Sequence, residues 1–133
     1  MASHQPARRL AGPLARARGL GSAKEGVQHW WAQRISAVAL VPLTLWFVYA
    51  VVHLAGADQG AVRDWLHRPA NAMLMTLLIA AMFYHLALGI QVVVEDYVHR
   101  EGVKIATILL IKGLIVLLAL GALFTVLRVA VGG

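Results

Sequence analysis

The 133 residues include no cysteine, are 60% hydrophobic and only 14% charged, a balance that fits a small membrane domain rather than a soluble globule. Lacking cysteine, the chain cannot itself supply a disulfide, a thiolate nucleophile, or Cys ligands to zinc or an iron–sulfur cluster, so any such centre must sit on a partner. The net charge of +6 does not signal nucleic acid, because five of the twelve basic residues (Arg8, Arg9, Arg16, Arg18, Lys24) crowd into the first 24 positions, the distribution of a cytoplasmic, lipid-facing tail.

The chain divides into a tail, residues 1–29, and a membrane domain, residues 30–133. Residues 1–21 are rich in Arg, Ala, Gly and Pro and contain no acid, too poor in large apolar groups to build a core, and extended or poorly ordered chain is expected there. A transit peptide would share this composition, but amphipathic periodicity is weak, and a secretory signal would need its apolar core closer to the start. Gly19 to Ser22 reads as a flexible turn, with no strand before it to make a phosphate cradle. Ser22 and Glu25 have capping-box spacing and predict a short helix at the membrane surface. His29, Trp30 and Trp31 then form an interfacial anchor, since the indole ring is apolar while its N–H can reach water.

Three apolar segments follow. Residues 35–55 carry no formal charge over 21 positions, enough for a helix to span about 30 Å of hydrocarbon. Pro42 predicts a kink there, with Ser36 and Thr44 able to satisfy the freed backbone groups. Residues 56–70 form a polar connector, 72–94 a second span, 95–104 a short turn, and 105–127 a third span broken only by Lys112. The reading is all-α and integral to the membrane, with three transmembrane helices. The tail carries more Lys and Arg than the first connector, which puts the N-terminus in the cytoplasm and the C-terminus in the periplasm. The turn containing Asp96 to His99 then faces the cytoplasm.

His85 lies about half-way through the second span, where an ionisable side chain is costly unless paired, ligated or turned to a protein interior. Two readings stand side by side: a histidine hydrogen-bonded to a neighbouring helix, and an axial haem ligand with Gly89 one turn away leaving room for the porphyrin edge. His53 is poorly placed as the second ligand, since it lies about 3 Å inside the outer boundary and His85 about 20 Å inside it. A six-coordinate iron would need its other ligand from another polypeptide. His53 reads as interfacial, and His4, His67 and His99 as solvated. Asp96 stands eleven residues after His85, about three helical turns and roughly 16 Å along the same face. A phenol such as Tyr97 can donate a hydrogen bond to a quinone carbonyl, with an adjacent carboxylate to orient it or supply protons; both residues could equally end the span in water. Arg34 can snorkel to phosphate or bind an anionic group such as a haem propionate, with Ser36 a lesser polar contact. Lys112 is within snorkelling range of the cytoplasmic face, and Gln91 could hydrogen-bond across helices.

Residues 19–40 (GLGSAKEGVQHWWAQRISAVAL) and 84–99 (YHLALGIQVVVEDYVH) together resemble the small hydrophobic membrane-anchor subunit, of the cytochrome b type, of succinate dehydrogenase. The likeness combines a His-Trp entry with a nearby arginine, then a histidine followed eleven positions later by Asp-Tyr-Val-His, on three spans in the expected order. The resemblance implies that His85 is an axial ligand of haem b, its other ligand coming from the larger cytochrome b anchor subunit, so that the helical bundle is completed by that partner. It implies that Tyr97 hydrogen-bonds ubiquinone with Asp96 in the same site, and that Arg34 lies near the haem propionates and quinone pocket. FAD and the iron–sulfur clusters would reside on the flavoprotein and iron–sulfur subunits, and the whole would sit in the bacterial inner membrane. Gln91 stands five positions before Asp96, where some members have their glutamine four before, and it receives no ligand role. The expected function is therefore to anchor a respiratory succinate:ubiquinone oxidoreductase and help pass its electrons to quinone. The rivals are a cofactor-free tether and a small proton or ion carrier using His85, Asp96 and Lys112.

Overall fold

The computed structural model describes residues 22–132, with side chains from residue 26. The expectations for residues 1–21 and for the Ser22 and Glu25 side chains lie outside the described residues. The described chain is helical: α1 is Ser22–His53, α2 is Gln59–His67, α3 is Pro69–Tyr97 and α4 is Glu101–Gly132. Three of these, α1, α3 and α4, are long and apolar enough to cross a membrane. A helix is the natural solution for such segments, because in lipid each backbone N–H and C=O must find its partner within the segment.

These helices outlast the apolar runs that predict them. The 32 residues of α1 rise about 48 Å against a hydrocarbon thickness of about 30 Å, so its ends reach into the interface. The short surface helix expected from Ser22 is instead the first turns of α1 itself. Pro42 sits inside α1, which continues through it. At the other end α1 stops at His53, two residues before the expected boundary, and the chain turns through Gly56 at φ 80°, a left-handed conformation that favours glycine. The turn between α3 and α4 shrinks to residues 98–100, because α3 continues to Tyr97 and α4 begins at Glu101.

The connector after α1 holds a helix that its polar composition concealed. Asp58 caps α2, its carboxylate accepting from the Ala61 N–H at 2.8 Å, one of the donors a helix start leaves unpaired. Pro69 then opens α3, at a position where its missing N–H costs nothing. Trp65 of α2 stacks on Trp46 of α1 with ring centroids 5.6 Å apart, and the Asn71 side-chain amide donates to the Trp65 carbonyl at 2.8 Å. His67 reaches the far end of α4, its Nδ1 lying 3.0 Å from the Ala130 carbonyl oxygen. The amphipathic α2 thus ties together the ends of all three long helices on one side.

α3 is the central helix, packed on α1 along one flank and on α4 along the other. The buried apolar residues are few: Ala50, Leu66, Leu78, Ile79, Val94 and Ile115. Large side chains along α1 and α4, among them Val38, Leu45, Leu110, Leu117 and Phe124, are exposed. A soluble protein would not leave so much apolar surface bare.

Candidate functional site

His85 lies sixteen residues past the start of α3 and twelve before its end, about 24 Å and 18 Å of helix respectively. Its ring faces α1. There, His29, Gln33 and Ser36 recur at the i, i+4, i+7 spacing that places side chains on one face of a helix. The Ser36 hydroxyl donates to the Gln33 main-chain carbonyl at 3.0 Å. The same oxygen lies 2.9 Å from His85 Nδ1, the two sharing one proton whose direction follows the imidazole tautomer. The Gln33 side-chain amide lies 3.4 Å from the other ring nitrogen, Nε2, the long end of a hydrogen bond.

With the Ser36 proton on the Gln33 carbonyl and Gln33 Nε2 turned to the ring, the set matches the Nδ1–H tautomer. Ser36 is the buried polar residue among those described, 6% exposed. Gly89, one turn beyond His85, makes room for the amide: a Cβ on Gly89 would stand 3.6 Å from Gln33 Nε2. An alanine would touch the amide, and a larger side chain would displace it.

The same face holds two unfinished polar groups. Gln33 Oε1 and His29 Nε2 are buried without a hydrogen-bond partner, and an unpaired buried acceptor costs about 1–3 kcal/mol. The antiparallel contacts of Gln33 and Ser36 with His85 put His29 about level with Val92, and Gly26 about level with Asp96. The polar stripe of α1 therefore runs from His85 towards the α3–α4 turn. Beside it, between α1 and α3, opens an apolar cleft of about 540 Å³ bordered by Val27, Trp31, Ile35, Ser36, Ala81 and Tyr84.

The remaining predicted residues are not gathered round His85. Arg34 is turned off the stripe, its guanidinium 4.4 Å from the centre of the Trp30 ring, in a cation–π contact. Asp96 is exposed, and Tyr97 is 79% exposed at the last turn of α3. Because α3 is unbroken from His85 to Tyr97, Asp96 does fall on the His85 side of the helix. Gln91 is hydrogen-bonded within its own helix rather than across helices; its amide donates to Glu95 Oε1 on the next turn at 2.7 Å, an i, i+4 pair. Lys112 is exposed and borders the seam between α3 and α4 beside Ile90 and Gln91. His53 lies at the opposite end of α1, its ring stacked on Tyr49 at 6.0 Å. Among the described residues no three His, Cys, Asp or Glu side chains converge on a metal-sized site. Sequence reasoning missed Gln33 and the buried edge of His29; their shared helical face with Ser36 was the available signal.

Fold and site together define a polytopic all-α membrane protein with the imidazole of His85 held between two of its spans. The chain belongs to the succinate dehydrogenase/fumarate reductase transmembrane-subunit family, whose model matches residues 8–127. It is similar to the succinate dehydrogenase hydrophobic membrane anchor subunit of Paracoccus denitrificans, 42% identical over 67 residues that cover 50% of this chain and 52% of that relative. The subunit of the same name from Rickettsia bellii (strain RML369-C) is 39% identical over 69 residues, 52% of this chain and 54% of the relative. The match thus spans about half the length of these curated relatives. No solved structure matches the chain.

Proposed function

We propose that this chain is the small membrane-anchor subunit of a succinate:ubiquinone oxidoreductase, holding one b-type haem jointly with a larger anchor subunit and contributing to a ubiquinone site at the cytoplasmic side. The observation that carries the reading is the imidazole of His85 part-way along an apolar helix, with Nδ1 2.9 Å from the Ser36 hydroxyl and Nε2 met by the Gln33 amide at 3.4 Å. Family membership and the names of the relatives supply the class of complex.

The residues present fit such a haem by the chemistry of their donors. One neutral imidazole nitrogen suffices for one axial position. The Gln33 amide that now caps it is weakly held, with its own oxygen unpaired, and can rotate aside. His53 is at the wrong end of α1, so a second protein ligand to the haem would have to come from the partner subunit. Bound there, the haem would supply one-electron chemistry, while this chain's part is to orient the imidazole and exclude water. The bare faces of α1 and α4 suit a bundle that the partner completes.

In this reading Tyr97 donates a hydrogen bond from its phenol to a quinone carbonyl, and Asp96 beside it orients the phenol or supplies protons from the aqueous side. Their exposure suits a pocket whose other walls are the larger anchor and the iron–sulfur subunit. FAD and iron–sulfur clusters on the flavoprotein and iron–sulfur subunits would supply the electrons from succinate, and this chain would serve that complex rather than act as an enzyme alone. Arg34, next to this end of α1, is the cation available to a propionate or a lipid phosphate. The basic tail and the α3–α4 turn share the cytoplasmic side of the bacterial inner membrane, with α2 and the end of α4 in the periplasm.

The test is a reduced-minus-oxidised spectrum of the complex purified through this chain. A b-type signal lost in His85→Ala and kept in His53→Ala is the expected result. A complex with no such signal would leave a tether without cofactor, and an unchanged signal in His85→Ala would remove His85 from the site.

A further inference from the structure

Histidine has two neutral tautomers, and free in water it favours the one protonated on Nε2. Inside an apolar bundle the choice passes to whatever group meets each nitrogen. At His85 that group is a hydroxyl with the Gln33 carbonyl, one turn back on α1, 3.0 Å away to take its proton, which leaves the oxygen to accept. A freely rotating hydroxyl could serve either tautomer; the Gln33 carbonyl biases this one towards accepting. Its burial at 6% exposure excludes competition from bulk water, and donation to Gln33 polarises its oxygen further.

We propose that Ser36 is a positioning residue that locks His85 in the Nδ1–H tautomer, keeping Nε2 an electron-pair donor before any ligand arrives. The Gln33 amide, donating to Nε2 at 3.4 Å, reads the same tautomer from the other side. The tautomer lock is a property of the chain alone. Its consequence for a bound iron rests on the proposed role of His85: the Nδ1–H bond raises the basicity of the ligating nitrogen, which favours the ferric state.

Two measurements test it. In the full chain in detergent micelles, nitrogen-15 NMR of the histidine ring nitrogens reads the tautomer directly. The expected result is Nδ1 protonated and Nε2 unprotonated at His85 in the wild type and in Ser36→Thr, with the pattern shifted towards Nε2–H in Ser36→Ala. A wild-type ring protonated on Nε2 overturns the proposal whatever the variants do, as does a Ser36→Ala ring unchanged from wild type. In the purified complex, the ferrous-to-ferric ratio at a fixed applied potential rises in Ser36→Ala by up to about tenfold, equivalent to a ~59 mV positive shift for one electron, and stays near wild type in Ser36→Thr. A ratio unmoved by Ser36→Ala, with haem present, contradicts the effect on the iron. A complex without haem refutes the role of His85 instead and leaves the tautomer result to be judged by NMR.

Discussion

The hydroxyl of Ser36 and Nδ1 of His85 lie 2.9 Å apart across the seam between α1 and α3, forty-nine positions apart in sequence. This contact joins two transmembrane helices through a buried polar pair. In the proposed tautomer it leaves Nε2 as the nitrogen with the electron pair.

The pair contributes to helix association as well as to chemistry. Hydrogen bonds between membrane helices contribute about 0.6 kcal/mol on average and seldom more than about 1.7. Ser36→Ala is therefore expected to lower the thermal midpoint of the detergent-solubilised complex only slightly, and Ser36→Thr to leave it near wild type. A collapse of assembly in Ser36→Ala would assign Ser36 a larger structural share than this contact can carry.

Gly89 and Gln33 make a graded steric prediction. With a Cβ at 3.6 Å from Gln33 Nε2, Gly89→Ala should retain haem in near-wild-type amount. Gly89→Phe, which must push the amide and α1 aside, should lose most of it, as measured by haem extracted per mole of complex. Equal retention in both variants would mean that α1 does not lie against this turn of α3.

Tyr97 separates the two ends of the site. Removing its hydroxyl in Tyr97→Phe should impair ubiquinone reduction while leaving the spectrum of the haem and succinate oxidation by a soluble dye intact. The ring itself, 79% exposed, contributes little to the fold of this chain. Equal loss of both activities would count against a quinone role.

Gly56 tests the turn that releases α1 into α2. Its φ of 80° is open to glycine, whereas a side chain there costs roughly 1–2 kcal/mol. Since no atom lies within 4 Å of a Cβ at that position, Gly56→Ala isolates the backbone cost. The expected outcome is a small fall in thermal midpoint with the haem spectrum unchanged.

The spans were legible because hydrocarbon imposes a simple demand: twenty or so apolar residues in a row. Their ends were less so, since α3 continues past Val94 through Glu95, Asp96 and Tyr97 as ordinary helix, and charge there marks the interface rather than the end of the coil. α2 was hidden for a related reason. Its balanced charges look like a loop, yet Asp58 stands at its start as a cap, and Val62, Trp65 and Leu66 recur at helical spacing. At the site, His85 stood out because a lone imidazole in an apolar span is costly. Gln33 did not, being a polar residue near a boundary where such residues are common, and only the fold brings it to the ring. The cation–π contact of Arg34 with Trp30 was likewise open to view in the i, i+4 spacing, but nothing in the spacing says that the guanidinium turns outward.

The most direct test of the central claim replaces His85 with glycine and supplies the lost imidazole from solution. In the purified complex, His85→Gly should lose the low-spin ferric signature in electron paramagnetic resonance and the matching b-type spectrum, and millimolar imidazole should restore both. A low-spin signature undiminished in His85→Gly before any imidazole is added would show that the iron is held by another residue, and would contradict the account.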